Sequence, residues 1–140
     1  MFENINMLAV VACAVAGLAL GFVWYGPLFG KKWMELSKMN EMTEEDKAKM
    51  RNGVMKLYVT QFILTAFEAF VLAHFLAGFG AVTGILGSLW IWAGFVLPTV
   101  ATLSMWGADM GKTAWTRFGI TLGYQALLFV VFGLILGVWY

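Results

Sequence analysis

The chain has 140 residues, 61% of them apolar and 12% charged, against roughly 45–50% and roughly 25% in ordinary soluble domains. Nine basic and eight acidic side chains are too few to cover a water-facing body, which excludes a soluble globular protein and leaves an integral membrane protein whose partner is the lipid bilayer. The net charge of +1 gives no ground for a nucleic-acid partner, and the single cysteine, Cys13, allows neither an intrachain disulfide nor a cysteine metal cluster.

Crossing the hydrocarbon core takes about 20 predominantly apolar residues. Four stretches are predicted to do so, at 5–25, 57–78, 85–106 and 116–138. The predicted fold class is all-α: one polytopic four-helix transmembrane domain over 1–140, with a cytoplasmic amphipathic and helical connection over 26–56 between helices 1 and 2. The first residues contain Glu3 and no Lys or Arg, and the apolar stretch behind them is longer than a signal core, so no cleaved signal peptide is expected.

In span one, Ala9, Cys13, Gly17 and Gly21 recur every fourth residue. Such a ridge permits close backbone approach, either within the bundle or between copies of the chain. Span one ends in Trp24-Tyr25-Gly26-Pro27, where proline disfavours helix at the preceding residue, and a break is predicted at Gly26. Beyond it Phe29, Trp33 and Leu36 recur at i, i+4 and i+7, the pattern of a short helix lying in the headgroup region. Thr43 is placed to cap the next helix, Glu44, Glu45 and Asp46 suit its positive end, and Glu45 with Lys49 forms an i, i+4 pair. Gly53 weakens a segment that otherwise runs on into span two.

Glu68 is the most informative single residue. It stands 12 residues after Lys56 and 10 before Gly78, so by helical rise it lies roughly 18 Å from one boundary and roughly 15 Å from the other, near mid-bilayer. Gln61, Thr65 and Glu68 form a polar stripe at i, i+4 and i+7. Gln125 on span four, with Thr121 and Tyr124 near it, lies at comparable depth, as does Pro98 on span three, which removes a backbone hydrogen bond. These residues form a candidate intramembrane polar site of Glu68, Gln61, Thr65, Gln125 and Pro98; the competing reading makes Glu68 interhelix glue. His74 is expected to be an interfacial or hydrogen-bonded histidine. Span four repeats the small-residue device at Gly119 and Gly123 and at Gly133 and Gly137. Met34, Met39 and Met42 carry no nearby Cys or His and suit flexible interfacial apolar groups better than copper. No nucleophile, base and orienter set can be assembled, so no enzyme, metal or cofactor is expected.

All nine basic residues fall in the first connection or in and beside the third. The positive-inside bias then makes that side cytoplasmic, in a bacterial-type inner membrane with both termini outside. Trp24, Tyr25, Trp33, Trp106 and Trp115 gather near the inner boundary, with Trp90, Trp92, Trp139 and Tyr140 near the outer one.

The segment Trp24-Tyr25-Gly26-Pro27-Leu28-Phe29-Gly30 followed by Trp33-Met34, together with Gly94-Phe95-Val96-Leu97-Pro98 and Gly123-Tyr124, resembles the domain-of-unknown-function 1761 family. The resemblance implies a small four-span bacterial-type membrane protein, with no catalytic or binding residues to carry over. The expected role is non-enzymatic: an accessory subunit or small oligomeric membrane module, as a homo-oligomer or with a membrane-complex partner. The alternative is a proton- or cation-coupled transporter or channel component that uses the polar site around Glu68.

Overall fold

Asn6 opens the first helix: its side-chain oxygen accepts from the backbone N–H groups of Leu8 at 3.0 Å and Ala9 at 3.3 Å, satisfying donors that a helix start leaves orphaned. The computed structural model, which describes residues 5–79, 84–106 and 111–139, then runs α1 over Met7–Val23 and continues it as a π-helical turn over Trp24–Leu28. There follow α2 (Gly30–Leu36), a 3-10 turn (Met39–Glu41), α3 (Glu44–Phe79), α4 (Gly84–Ile91), a second π-helical turn (Trp92–Val96), α5 (Leu97–Met105) and α6 (Lys112–Val138). No strand occurs among the described residues. Four helical stretches are long and apolar enough to cross a membrane: Met7–Leu28, Glu44–Gly78, Gly84–Met105 and Lys112–Val138. The connections predicted at 78–84 and 107–111 fall mostly outside the described residues.

The break expected at Gly26 comes instead at Phe29, whose φ of −122° and ψ of 8° leave the helical region. The cause is the π-helical turn: the Phe29 N–H reaches back five residues to the Trp24 carbonyl at 2.9 Å. This wider turn accommodates Pro27, which has no N–H and would crowd the carbonyl four residues back in an α-helix. Span three uses the same device, with Leu97 N–H bonded to the Trp92 carbonyl, and Pro98 then sits in the first turn of α5. Gly53 does not interrupt α3, a single helix of 36 residues. At its start Thr43 Oγ1 accepts from Asp46 N–H at 3.1 Å, and Glu45 pairs with Lys49 at 3.7 Å, an exposed contact of little energetic weight.

The spine of the bundle is α6, which packs on α1, α2, α4 and α5, while α1 lies between α3 and α6. Its residues Leu128, Phe129, Phe132 and Leu136 are buried with Ala9, Val10 and Cys13 of α1 and Ala69, Leu72 and Ala73 of α3. The small-residue ridge of α1 is filled from within the chain. Ala9 and Cys13 are fully buried; a Cβ placed on Gly17 would stand 2.8 Å from Thr65 Cγ2 and 3.1 Å from Leu128 Cδ1, and one on Gly21 would meet the Tyr124 ring. Within the single chain this ridge is thus in contact with α3 and α6. On span four Gly123 lies under the Trp24 indole, but Gly119 faces open space, so the two do not form one covered face. The tightest crossing is α4 on α6, backbone against backbone, where Gly84 meets Gly133 and Gly137.

Candidate functional site

A cleft of about 460 Å³ opens between α1, α3 and α6 in the half of the bundle nearest the basic connection. Its formation starts with the π-helical turn, which projects Trp24 and Tyr25 toward α6. The Trp24 indole N–H donates to the Ile120 carbonyl at 3.0 Å and its ring covers Gly123, pinning the end of span one to span four. Tyr25 then lies between Trp33 of α2 (ring centroids 4.9 Å apart) and Tyr124 of α6 (5.4 Å). The Tyr124 hydroxyl donates to the Gly17 carbonyl at 3.2 Å, a tie that the missing side chain at Gly17 makes reachable. On the opposite wall Phe22 and Tyr58 meet edge to face at 5.3 Å. Gln61 and Gln125 complete the polar lining, and none of the cleft's lining residues is charged.

The predicted site residues divide between two places. Gln61 and Gln125 both line this cleft. Gln61 Nε2 donates to Thr65 Oγ1 at 3.0 Å, and Thr65, 1% exposed, packs against Gly17. Glu68, one turn further on, lines a different cleft of about 450 Å³ between α3 and span three. Pro98 lines neither cleft and is exposed. Gln61 and Gln125 thus line one cleft and Glu68 the other, the two ends of the i, i+7 stripe meeting different neighbours. His74 is held locally, its Nδ1–H donating to the Phe70 carbonyl at 2.8 Å while its ring packs on Phe70.

One atom of the lining residue Gln125 stands out chemically. Gln125 Oε1 is buried and has no hydrogen-bond partner among the described residues, although a buried amide oxygen left unpaired costs about 1–3 kcal/mol. The sequence pointed to Gln125, with Tyr124 near it, but not to Tyr25 and Tyr58 as companions in the wall. The available signal was that Trp24-Tyr25-Gly26-Pro27 and Gly123-Tyr124 are the segments carrying the family resemblance.

A family model described as a protein of unknown function, DUF1761, matches residues 8–137. The chain belongs to that family. No curated protein and no solved structure matches it. Two of the segments by which this DUF1761 chain resembles its family meet at the cleft, through Tyr25, Gly26 and Tyr124. A wall of phenols and carboxamides without a charged group can exchange hydrogen bonds with a neutral ligand, while Leu18 and Phe22 offer it apolar contact. Among the described residues no group of three or more His, Cys, Asp or Glu side chains comes together.

Proposed function

We propose that this DUF1761 chain is a non-enzymatic binding module of a bacterial-type cytoplasmic membrane, which holds a neutral, hydroxyl- or amide-bearing amphiphile in the cleft between α1, α3 and α6. The observation that carries this reading is the buried, unpartnered Gln125 Oε1 in a polar wall, an acceptor that a ligand O–H or N–H satisfies. The volume suits it, since small-molecule sites run from about 300 to about 1,000 Å³. The test uses 1-monooleoylglycerol and methyl oleate, which share an acyl chain but differ in the hydroxyl donors. Monooleoylglycerol is expected to bind the purified protein saturably in native mass spectra, methyl oleate weakly, and Gln125→Leu to lower the former's affinity about 10-fold, the loss of one buried hydrogen bond. Equal affinity for the two molecules would count against the reading.

The chain acts in this proposal as an accessory or homo-oligomeric subunit, and the surface it offers is span three, the least buried of the four, where Trp90, Leu103 and Trp106 are exposed. The basic residues orient it with both termini outside. Single cysteines at Lys47 and Gly78, introduced with Cys13→Ala, are expected to react with an impermeant maleimide from opposite sides of the membrane, Gly78→Cys from outside. Labelling of both from one side contradicts this arrangement.

A further inference from the structure

The second cleft has a chemistry of its own. Its walls are apolar and aromatic: Phe67 and Phe75 from α3, Phe95 from span three and the buried Phe129 of α6, with Glu68 the one ionisable group in the lining. No described residue gives the Glu68 carboxyl a hydrogen bond or an ion pair. Nor is a protein cation within reach along the helices: Lys56 precedes Glu68 by 12 residues and Arg117 precedes Phe129 by 12, each roughly 18 Å of helical rise. An isolated carboxylate in such surroundings is costly unless a positive charge is brought to it. Unless a proton neutralises the carboxyl, that charge comes from outside the chain.

The walls select among cations. A divalent metal demands six or more oxygen ligands or a dedicated set of donors, and a lone carboxylate among phenylalanines cannot supply them; the described residues contain no acidic or His/Cys group of three. A weakly hydrated organic cation has the opposite needs. Its apolar substituents fill the cleft, its charge is attracted to the faces of aromatic rings, and one carboxylate completes the pairing. Phe67 and Phe95 are 65% and 68% exposed, so the ligand's body also covers rings that the protein leaves open.

We propose that the cleft between α3 and span three binds a hydrophobic organic cation, an amine or quaternary onium ion with apolar substituents, whose charge pairs with Glu68 and whose body lies on Phe67, Phe95 and Phe129. This site shares no lining residue with the neutral-ligand cleft.

The experiment measures binding of radiolabelled tetraphenylphosphonium to the full chain in phosphatidylcholine nanodiscs, with tetraphenylborate as a probe of similar shape and opposite charge. The expected result is saturable binding of about one cation per chain, at least 10-fold weaker in Glu68→Gln and weaker in Phe67→Ala, unchanged in Gln125→Leu, and not displaced by tetraphenylborate. Unsaturable binding, equal affinity in a Glu68→Gln protein of native helicity, or equal competition by tetraphenylborate overturns the proposal; the last two results would mean that an acyl chain or a second copy suits the cleft as well. Should Glu68→Gln not fold, Phe67→Ala at its exposed position and the charge comparison on the unaltered protein decide the matter alone.

Discussion

Gly133→Ala is expected to lower the stability of the folded bundle by about 3 kcal/mol, the upper end of the usual cost of overpacking, and Gly133→Leu to prevent accumulation of folded protein. A Cβ on Gly133 would stand 2.6 Å from the Gly84 carbonyl oxygen, 2.7 Å from Ile85 Cα and 2.9 Å from the Gly84 carbonyl carbon. All three are backbone atoms, so no side-chain rotation relieves the clash and α4 must lift away from α6. That would also strip cover from Ser88, whose hydroxyl is spent on the Gly84 carbonyl at 2.7 Å. Lipid gives helices no hydrophobic reason to associate, which makes close backbone contact the main source of attraction at this crossing. Gly119→Ala is the control: with open space at its Cβ position, it is expected to be neutral or to stabilise by up to about 1 kcal/mol through helix propensity. Unfolding in mixed micelles, followed by tryptophan fluorescence, measures both. Equal stabilities for the two variants would refute the α4–α6 crossing.

Gly17→Leu is the second large effect, and its form matters more than its size. The position faces Thr65 Cγ2, Leu128 Cδ1 and Phe132 Cε1 at 2.8 to 3.8 Å, and its carbonyl accepts from Tyr124. A leucine there must displace both α3 and α6 from α1. The expected outcome is a loss of about 3 kcal/mol or more in bundle stability, with any oligomer size of the surviving folded protein unchanged. A cleanly folded Gly17→Leu protein of lower native mass in nanodiscs would show that the ridge joins copies of the chain after all.

Much of the fold follows from local sequence. Four apolar stretches of spanning length can cross lipid in one way only, as helices whose backbone groups are satisfied internally, so their number was legible from hydropathy. The start of α3 was legible for a different reason: a threonine cap, three acidic residues in the first turn and an i, i+4 pair act within a few residues of one another. The position of the first break was not, because proline rules set the preceding residue against an α-helix, whereas the chain absorbed Pro27 in a π-helical turn and broke at Phe29. The candidate site was half legible. Periodicity places Gln61 and Glu68 on one face of α3, about 20° apart around its axis and roughly 10 Å apart along it. Which neighbour each meets depends on how α1 and span three lean on α3, a relation between distant segments that no local pattern carries. Tyr25 gave no sign of its role for the same reason: it enters the wall beside Tyr124, where Trp24 fastens to Ile120, almost a hundred residues further along the chain.

The claim that the cleft between α1, α3 and α6 holds a neutral hydrogen-bonding ligand is tested most directly by contacts between the ligand and the side-chain amide of Gln125. In 15N-labelled protein in nanodiscs, with that amide assigned through the loss of its signal in Gln125→Leu, the glycerol protons of 1-monooleoylglycerol are expected to show nuclear Overhauser effects to the Gln125 side-chain NH2 and to the Tyr25 and Tyr124 rings. Effects confined to lipid-facing side chains such as Leu103 and Trp106, with the Gln125 signal unmoved at saturating monooleoylglycerol, would contradict the account.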